Sequence, residues 1–346
     1  MPTTFLRPIL TPAAERARSE AQSSAAGATT AAGAISAAGA ISAAGAISAA
    51  GATPAAGPLV SLTTDFGERD PWPAICRGVI LGIAPHARVL DISHEVTKFS
   101  ILDGALALWA ALPYLPIGVH VAVIDPGVGT SRRAVGIRVA RGDTLVGPDN
   151  GLLLPASERL GGIVAVHALE SGEYRLPVVS ASFHGRDVFA PAGAHLALGV
   201  PLEAFGPAID PSDLVRLDLP RPTVLDGSLG TRVTYVDTFG NVKLAGAPAD
   251  LESALGRLAV GDPLRVEVPP HEPALDDDRL APAPRAIALT WQQTFGSVPP
   301  GEPLLYEDSH GRLCIAIDRG SAAATLGLRV GDEVSVRRIG EVAPAR

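Results

Sequence analysis

Residues 123–134 read "VIDPGVGTSRRA": an apolar run, a carboxylate, a proline, two glycines and a pair of arginines within twelve positions. A carboxylate next to a guanidinium, on a turn with little side-chain bulk, suits a site that polarises a small nucleophile or binds a polar ligand. Asp125 follows "VHVAVI" (119–124), a short β-branched run that reads as an interior strand. In open α/β sheets ligands bind at the carboxyl ends of strands. The same residues also make an ordinary tight turn, because Asp and Pro start turns and Gly supplies positive φ. The loop lacks the Lys-Ser/Thr ending of a Walker phosphate loop, and Gly127–Gly129 lacks the third glycine of a dinucleotide fingerprint. Other acidic strand ends are Asp65 in "TTDFG" and Asp91 in "DISHE"; "SASFHGRD" adds His184, Arg186 and Asp187.

The segments that would position these groups alternate. "LVSLTT" (59–64), "RVLDIS" (88–93) and "VHVAVI" read as strands. Between them, 71–85 and 100–116 read as helices, the second with Ser100 as N-cap. "AVGIRVA", "TLVGP" and "GIVAVHAL" add strands, and "DVFAPAGAHLALG" (187–199) adds a helix. The alternation implies an α/β domain with a mostly parallel sheet covered by helices on both faces. Residues 207–222, rich in Pro and Asp, suit a linker. Short strands and turns then predict a smaller β-rich domain. The expected division is a repeat tail at 1–57, an α/β domain at 58–215 and a β-rich domain at 223–340.

The tail carries a hexapeptide array, three copies of "AAGAIS" flanked by variants, with one isoleucine per six residues. That is too little apolar surface for a core, so a flexible Ala/Gly/Ser segment is expected. The 346-residue chain has a formal net charge of −8 and no basic block, which argues against nucleic acid or an anionic membrane as partner. No apolar stretch is of membrane-spanning length. Cys76 and Cys314 lie far apart with no metal or redox spacing, and a reducing cytoplasm is the expected location. The triple aspartate of "ALDDDRL" (274–280) reads as a solvated loop, so no metal site is expected.

Taken in order, "LTTDFG…DP", "DISHEV", "VHVAVIDPGVGTSRRA", "GPDNGLL", "SFHGRDVFAPAGAHLALG", "DTFGNV" and "GSAA" resemble the S-adenosyl-L-methionine hydroxide adenosyltransferase family, relatives of fluorinases and chlorinases, over about residues 60–323. The resemblance implies hydrolysis of S-adenosyl-L-methionine to adenosine and L-methionine, with Asp125, Arg132 and His184 activating water. It places Asp65 at the ribose hydroxyls and Phe99 at the sugar pocket. It places Asp237, Asn241 and Ser309 at the methionine amino and carboxylate groups, and Phe295 near adenine. It also implies a homotrimer with sites between neighbouring subunits, and no cofactor beyond the substrate. Asp318, in "IAIDRGSAA", departs from the asparagine of the family pattern.

The chemistry fits those residue types. A sulfonium leaves as a neutral thioether and needs no acid. The difficulty is the nucleophile, which a fixed guanidinium stabilises as it gains hydroxide character, while His184 or Asp125 accepts or orients the proton. The glycines of the turn are expected to let the backbone approach the sugar. Two other readings compete. A halogenase would bring chloride or fluoride to the same carbon, where the carboxylate of Asp125 repels it. A binding module without catalysis has no use for the whole trio.

Overall fold

The computed structural model describes residues 57–268 and 285–340. The repeat tail, Gly57 apart, and "ALDDDRL" lie outside the described residues. The chain divides into two compact units, one ending at Leu217 and the other beginning at Asp218.

The first unit contains β1 (Leu59–Thr64), α1 (Trp72–Ile83), β2 (Arg88–Ser93), α2 (Ile101–Ala111), β3 (Val119–Val123), β4 (Ala134–Val139), β5 (Thr144–Pro148), α3 (Leu154–Arg159), β6 (Ile163–Ala168) and α4 (Ala190–Ala197). Its six strands lie in the order β2-β1-β3-β5-β4-β6. β2, β1, β3 and β5 run parallel, and β4 runs against both β5 and β6. Alternate side chains of the central strand serve two cores, as the period of two in a strand requires. Val119, Val121 and Val123 pack with Ile80 of α1 and Ala190 and Ala194 of α4. Ala122 and Ile124 pack with Ala105 and Leu108 of α2 and Ala156 of α3. Helices therefore cover both faces of a mostly parallel sheet, as expected.

Two helix boundaries differ from the sequence expectation for the same reason. A proline cannot donate to the carbonyl four residues before it, and its ring crowds that carbonyl. The helix expected over 100–116 ends at Ala111, followed by a 3₁₀ turn at Leu112–Tyr114; the Trp109 carbonyl that Pro113 cannot reach accepts from Arg159 Nη1 at 3.0 Å. The helix expected over 187–199 begins instead as a π turn, Gly185–Phe189, and becomes α-helical at Ala190. The Asp187 carbonyl, four residues before Pro191, accepts from Leu176 N at 2.9 Å. Ser100 caps α2 as expected, its Oγ accepting from Asp103 N at 3.2 Å.

The second unit contains β7 (Thr223–Leu225), β8 (Ser228–Val236), β9 (Val242–Leu244), α5 (Pro248–Leu255), β10 (Pro263–Val268), β11 (Arg285–Trp291), β12 (Pro303–Glu307), β13 (Leu313–Ile317), α6 (Ala322–Leu326) and β14 (Glu333–Arg338). The strands run β14-β10-β11-β12-β13-β9-β8-β7, and β14 also pairs with β8, which closes a barrel. Its interior is aliphatic, with Leu229, Val242, Leu264, Val266, Leu305, Ile315 and Val336 fully buried.

A buried polar network ties the amino-terminal ends of β3 and β5. His120 lies between Ser61 Oγ (2.8 Å to Nδ1) and Asp143 Oδ1 (3.0 Å to Nε2). Asp143 also accepts from Arg141 Nε at 2.7 Å and from Gly118 N at 3.2 Å. Burial alone would raise the Asp143 pKa, but its hydrogen bonds to His120, Arg141 and Gly118 outweigh that and hold it well below the usual carboxylate range. Asp143→Asn should cost about 1.5–3 kcal/mol at neutral pH, the scale of hydrogen bonds to charged groups. Because the folded pKa is depressed, the wild-type advantage is fully present above the unfolded value of about 3.9, begins to shrink as pH falls past it, and is lost only below the depressed folded value. Urea titrations of both proteins should show a constant gap at neutral pH that starts to narrow only below about pH 4.

Candidate functional site

The first unit brings Asp125, Arg132 and His184 into one cluster. Asp125 lies two residues past the end of the apolar β3. Arg132 Nε donates to both Asp125 oxygens at 2.9 and 3.0 Å, and Nη2 donates to Asp125 Oδ2. The same Nη2 donates to His184 Nδ1 at 2.8 Å. Its guanidinium carbon stands 5.1 Å from the centre of the Phe189 ring. The ion pair is nearly out of solvent, with side-chain exposures of 11% for Arg132 and 5% for Asp125.

This geometry fixes the histidine tautomer. Arginine has only donors, so Nδ1 of His184 must accept, and a neutral ring then carries its proton on Nε2. Burial, followed by the positive charge of Arg132, holds the His184 pKa below its ordinary value. The ring is neutral near pH 7 and offers Nε2–H as a hydrogen-bond donor, while the Asp125 carboxylate offers acceptor oxygens.

Gly129 explains how the two chain segments meet. Its φ is +76°, and a Cβ there would come within 2.3 Å of the Ala181 carbonyl oxygen. The glycine expected to admit a ligand instead admits the backbone of the 180–184 loop, which delivers His184 to Arg132. That loop is anchored by Asp187, whose buried carboxylate accepts from Ser180 N and Oγ at 2.8 Å each and from Arg186 Nε at 2.6 Å. Burial would raise the Asp187 pKa, but these bonds outweigh it and lower it. Phe183 packs edge-on to Phe66 and Trp72 at 5.7 and 5.5 Å between ring centres.

Asp65 and Phe99 are also joined. Asp65 Oδ2 accepts from Phe99 N at 2.8 Å, and Lys98 Nζ donates to the Asp65 carbonyl at 2.8 Å. Phe99 has φ +64° and is 70% exposed. A bulky side chain in the left-handed region is strained, and such strain gathers at functional sites. Behind Asp65, Asp91 is held by Arg77 at 2.6 Å and His94 at 3.1 Å, and His94 Nδ1 is 2.8 Å from Thr64 Oγ1. Asp91, singled out in the sequence as an acidic strand end, is thus a support for the β1 end.

In the second unit Asp237, Asn241, Phe295 and Ser309 line one cavity of about 760 Å³. Asp237 Oδ1 accepts from Phe239 N at 3.0 Å and Asn241 N at 2.9 Å, and Oδ2 accepts from Asn241 Nδ2 at 2.8 Å. Gly240 in this turn has φ +82°, and a Cβ would overlap Ser321 Oγ at 2.0 Å, so "DTFGN" and "GSAA" are packed against each other. Sequence reasoning passed over Lys243, Tyr306, Asp308 and Arg319, which share the cavity wall. Lys243 Nζ lies 3.0 Å from Asp308 Oδ2 and 3.9 Å from Asp237 Oδ2. Burial opposes its charge, but the acidic neighbours outweigh it and raise its pKa. Tyr306 packs edge-on to Phe295, ring centres 4.9 Å apart. Two carboxylates, an ammonium and a hydroxyl beside aromatic walls suit a zwitterionic head group joined to a flat ring. Asp318, next to Arg319, is partly buried and donates its N–H to Glu302.

Two family models match the chain that carries this cluster. Residues 60–206 match the SAM hydroxide adenosyltransferase N-terminal domain, and residues 231–335 match the C-terminal domain. The chain belongs to the SAM hydroxide adenosyltransferase family. An (R)-S-adenosyl-L-methionine hydrolase of Salinispora tropica is 43% identical over 284 residues, 81% of this chain and 97% of that one. A fluorinase of Actinopolyspora mzabensis is 28% identical, over 81% of this chain and 97% of that one. The crystal structure of an uncharacterized conserved protein from Thermotoga maritima superposes with a TM-score of 0.70 at 32% identity, covering 81% of this chain and all of that one. Among the described residues no cluster of three or more His, Cys, Asp or Glu is placed to hold a metal ion, and no helix is long and apolar enough to cross a membrane.

Gly129→Ala tests the packing of this family member's turn. It should destabilise the protein by about 1–3 kcal/mol through strain and displacement of the Ala181 backbone, read by urea denaturation. It should also raise the His184 pKa in an NMR titration, because the loop that holds the ring against Arg132 is pushed away.

Proposed function

We propose that this chain hydrolyses S-adenosyl-L-methionine, in the (R)-sulfonium form named for its relatives, to adenosine and L-methionine. The observation that carries the reading is the forked Arg132, bound to Asp125 on one side and His184 on the other. A water beside the cluster meets the Asp125 carboxylate as an acceptor for its proton, while Arg132 holds both that carboxylate and His184 in place. The water oxygen attacks C5′ as the C5′–S bond breaks, and the bonding pair leaves on sulfur. The sulfonium becomes a neutral thioether. The water proton passes to Asp125 and from there to solvent. Arg132 stabilises the negative charge that grows at the nucleophile, in a site from which most water is excluded. Holding water in line with C5′ removes much of the entropic cost of a bimolecular attack.

In this reading Asp65 holds the ribose hydroxyls and Phe99 lines the sugar. Asp237, Asn241 and Ser309 hold the methionine amino and carboxylate groups, and Phe295 faces adenine. The reaction needs no cofactor and no metal. The working assembly is a cytoplasmic homotrimer with active sites between neighbouring subunits, built from an α/β domain at 58–215 and a β-rich domain at 223–340. A halide nucleophile fits poorly, because the Asp125 carboxylate would repel it.

Product analysis with each sulfonium diastereomer tests the proposal: the (R) form should give adenosine and methionine, and chloride or fluoride should give no halonucleoside. Arg132→Ala and His184→Ala should each lower kcat by about 10²-fold or more, and Asp237→Ala should act mainly on KM. Wild-type turnover in both trio variants, with intact circular dichroism, contradicts the assignment.

The pH profile carries a second prediction. Protonated His184 loses the Nδ1 lone pair that Arg132 binds, so kcat should fall on the acid side with a midpoint below about 6.5, the ordinary histidine value. A limb well above that value contradicts the neutral-histidine role.

A further inference from the structure

"GPDNGLL" (147–153) stands in the chain with no role assigned by the reaction. In the sheet β5 lies between β3 and β4. The segment 124–133 leaves β3 and enters β4, so it arches over the carboxyl end of β5, crossing two strand spacings of about 4.8 Å each. Asp149 and Asn150 are the first two residues past that end.

We propose that Asp149 and Asn150 form a two-point clamp that positions the water-activating arch, Asn150 holding its first foot and Asp149 its second. Asn150 Nδ2 donates to the Ile124 carbonyl at 2.9 Å, one residue before Asp125. Its Oδ1 accepts from Leu152 N at 3.2 Å, which fixes the orientation of the carboxamide. Asp149 N donates to the Arg133 carbonyl at 2.9 Å, one residue after Arg132. Asp149 Oδ2 accepts from Arg133 Nε at 2.8 Å, and Oδ1 accepts from Val215 N at 2.9 Å. The Asp149 side chain is 3% exposed and Ile124 is fully buried, so a missing partner at either is costly, although Arg133 itself is 39% exposed. The second arginine of the "RR" pair thereby has a task separate from the first: Arg132 faces Asp125 and His184, and Arg133 locks the arch to β5.

The clamp acts through the trio, so its kinetic effect rests on the hydrolase reading; its effect on His184 does not. The groups facing His184 are Arg132, Asp125, Asp187 and Arg175, and only the first two ride on the arch. Three variants, Asn150→Ala, Asn150→Asp (same size, no donor toward Ile124) and Asp149→Asn, are compared with Asp143→Asn at the opposite ends of the same strands. Each is assayed for kcat and KM on S-adenosyl-L-methionine, for urea stability, and for His184 titration by NMR. The clamp predicts a kcat loss on the order of 10- to 100-fold in the Asn150 variants, the scale of a sub-ångström to one-ångström misplacement. KM should change much less, and the His184 pKa should move up as Arg132 drifts from Nδ1. Asp143→Asn should lose stability yet keep both kcat and the His184 titration. Asp149→Asn decides the matter if the Asn150 variants do not fold. Folded clamp variants with wild-type kcat and an unmoved His184 overturn the proposal. So does Asp143→Asn shifting His184 as far as they do, since the effect would then follow from stability alone. If the wild type releases no adenosine, the hydrolase reading fails and the NMR titration still decides the clamp.

Discussion

One guanidinium organises the first unit of this molecule. Arg132 spends its Nε and Nη2 donors on two partners from different parts of the chain, a carboxylate at a strand end and an imidazole at the start of a π turn. A bare Asp125 behind a strand of five buried residues would be costly to desolvate. A bare Arg132 against Phe189 would be equally so. Together they are a nearly neutral pair that tolerates burial and still presents oppositely polarised groups to a small nucleophile. The histidine completes the arrangement because arginine can only donate to it, which leaves its other nitrogen as a directed donor.

Much of the remaining architecture reads as the means of bringing those three side chains to one point. The parallel strands deliver Asp65 and Asp125 to the same end of the sheet, while Asp91 sits within β2, in register with Leu62. Gly129 removes the Cβ that would hold the 180–184 loop away. Asp187 turns that loop inward by collecting Ser180 and Arg186, and Pro191 frees the Asp187 carbonyl for Leu176. A proline that interrupts the helix therefore helps to define the loop that carries the histidine. The same logic at Pro113 gives the Trp109 carbonyl to Arg159.

The strands of the first unit were legible because each is a compact apolar run bounded by turn residues, and the meeting of Asp125, Arg132 and His184 was foreshadowed by motifs that occur in the family's order. What escaped was set by partners distant in sequence. The reversed direction of β4 is invisible in "AVGIRV", whose apolar run fits either direction. The short helices α3, α5 and α6 are too brief for a periodic signal, although Pro248 followed by Asp250, which accepts from Ala247 N at 2.8 Å, was an available start signal for α5. Lys243 and Asp308 are 65 residues apart and meet only because β9 and β13 pair in the barrel. Ser309 and Phe295 were found by family pattern; Tyr306, between them in sequence, looks like a core aromatic until the cavity it lines is seen.

In the proposed reaction a water activated by the Asp125–Arg132–His184 cluster attacks C5′ of the sulfonium substrate. Turnover of S-adenosyl-L-methionine in ¹⁸O-labelled water, followed by mass analysis of the nucleoside, tests it directly. Each adenosine should carry one solvent oxygen on its 5′ carbon, and the methionine should carry none. Adenosine without the label, or labelled methionine, would place the bond-making step elsewhere and contradict the account.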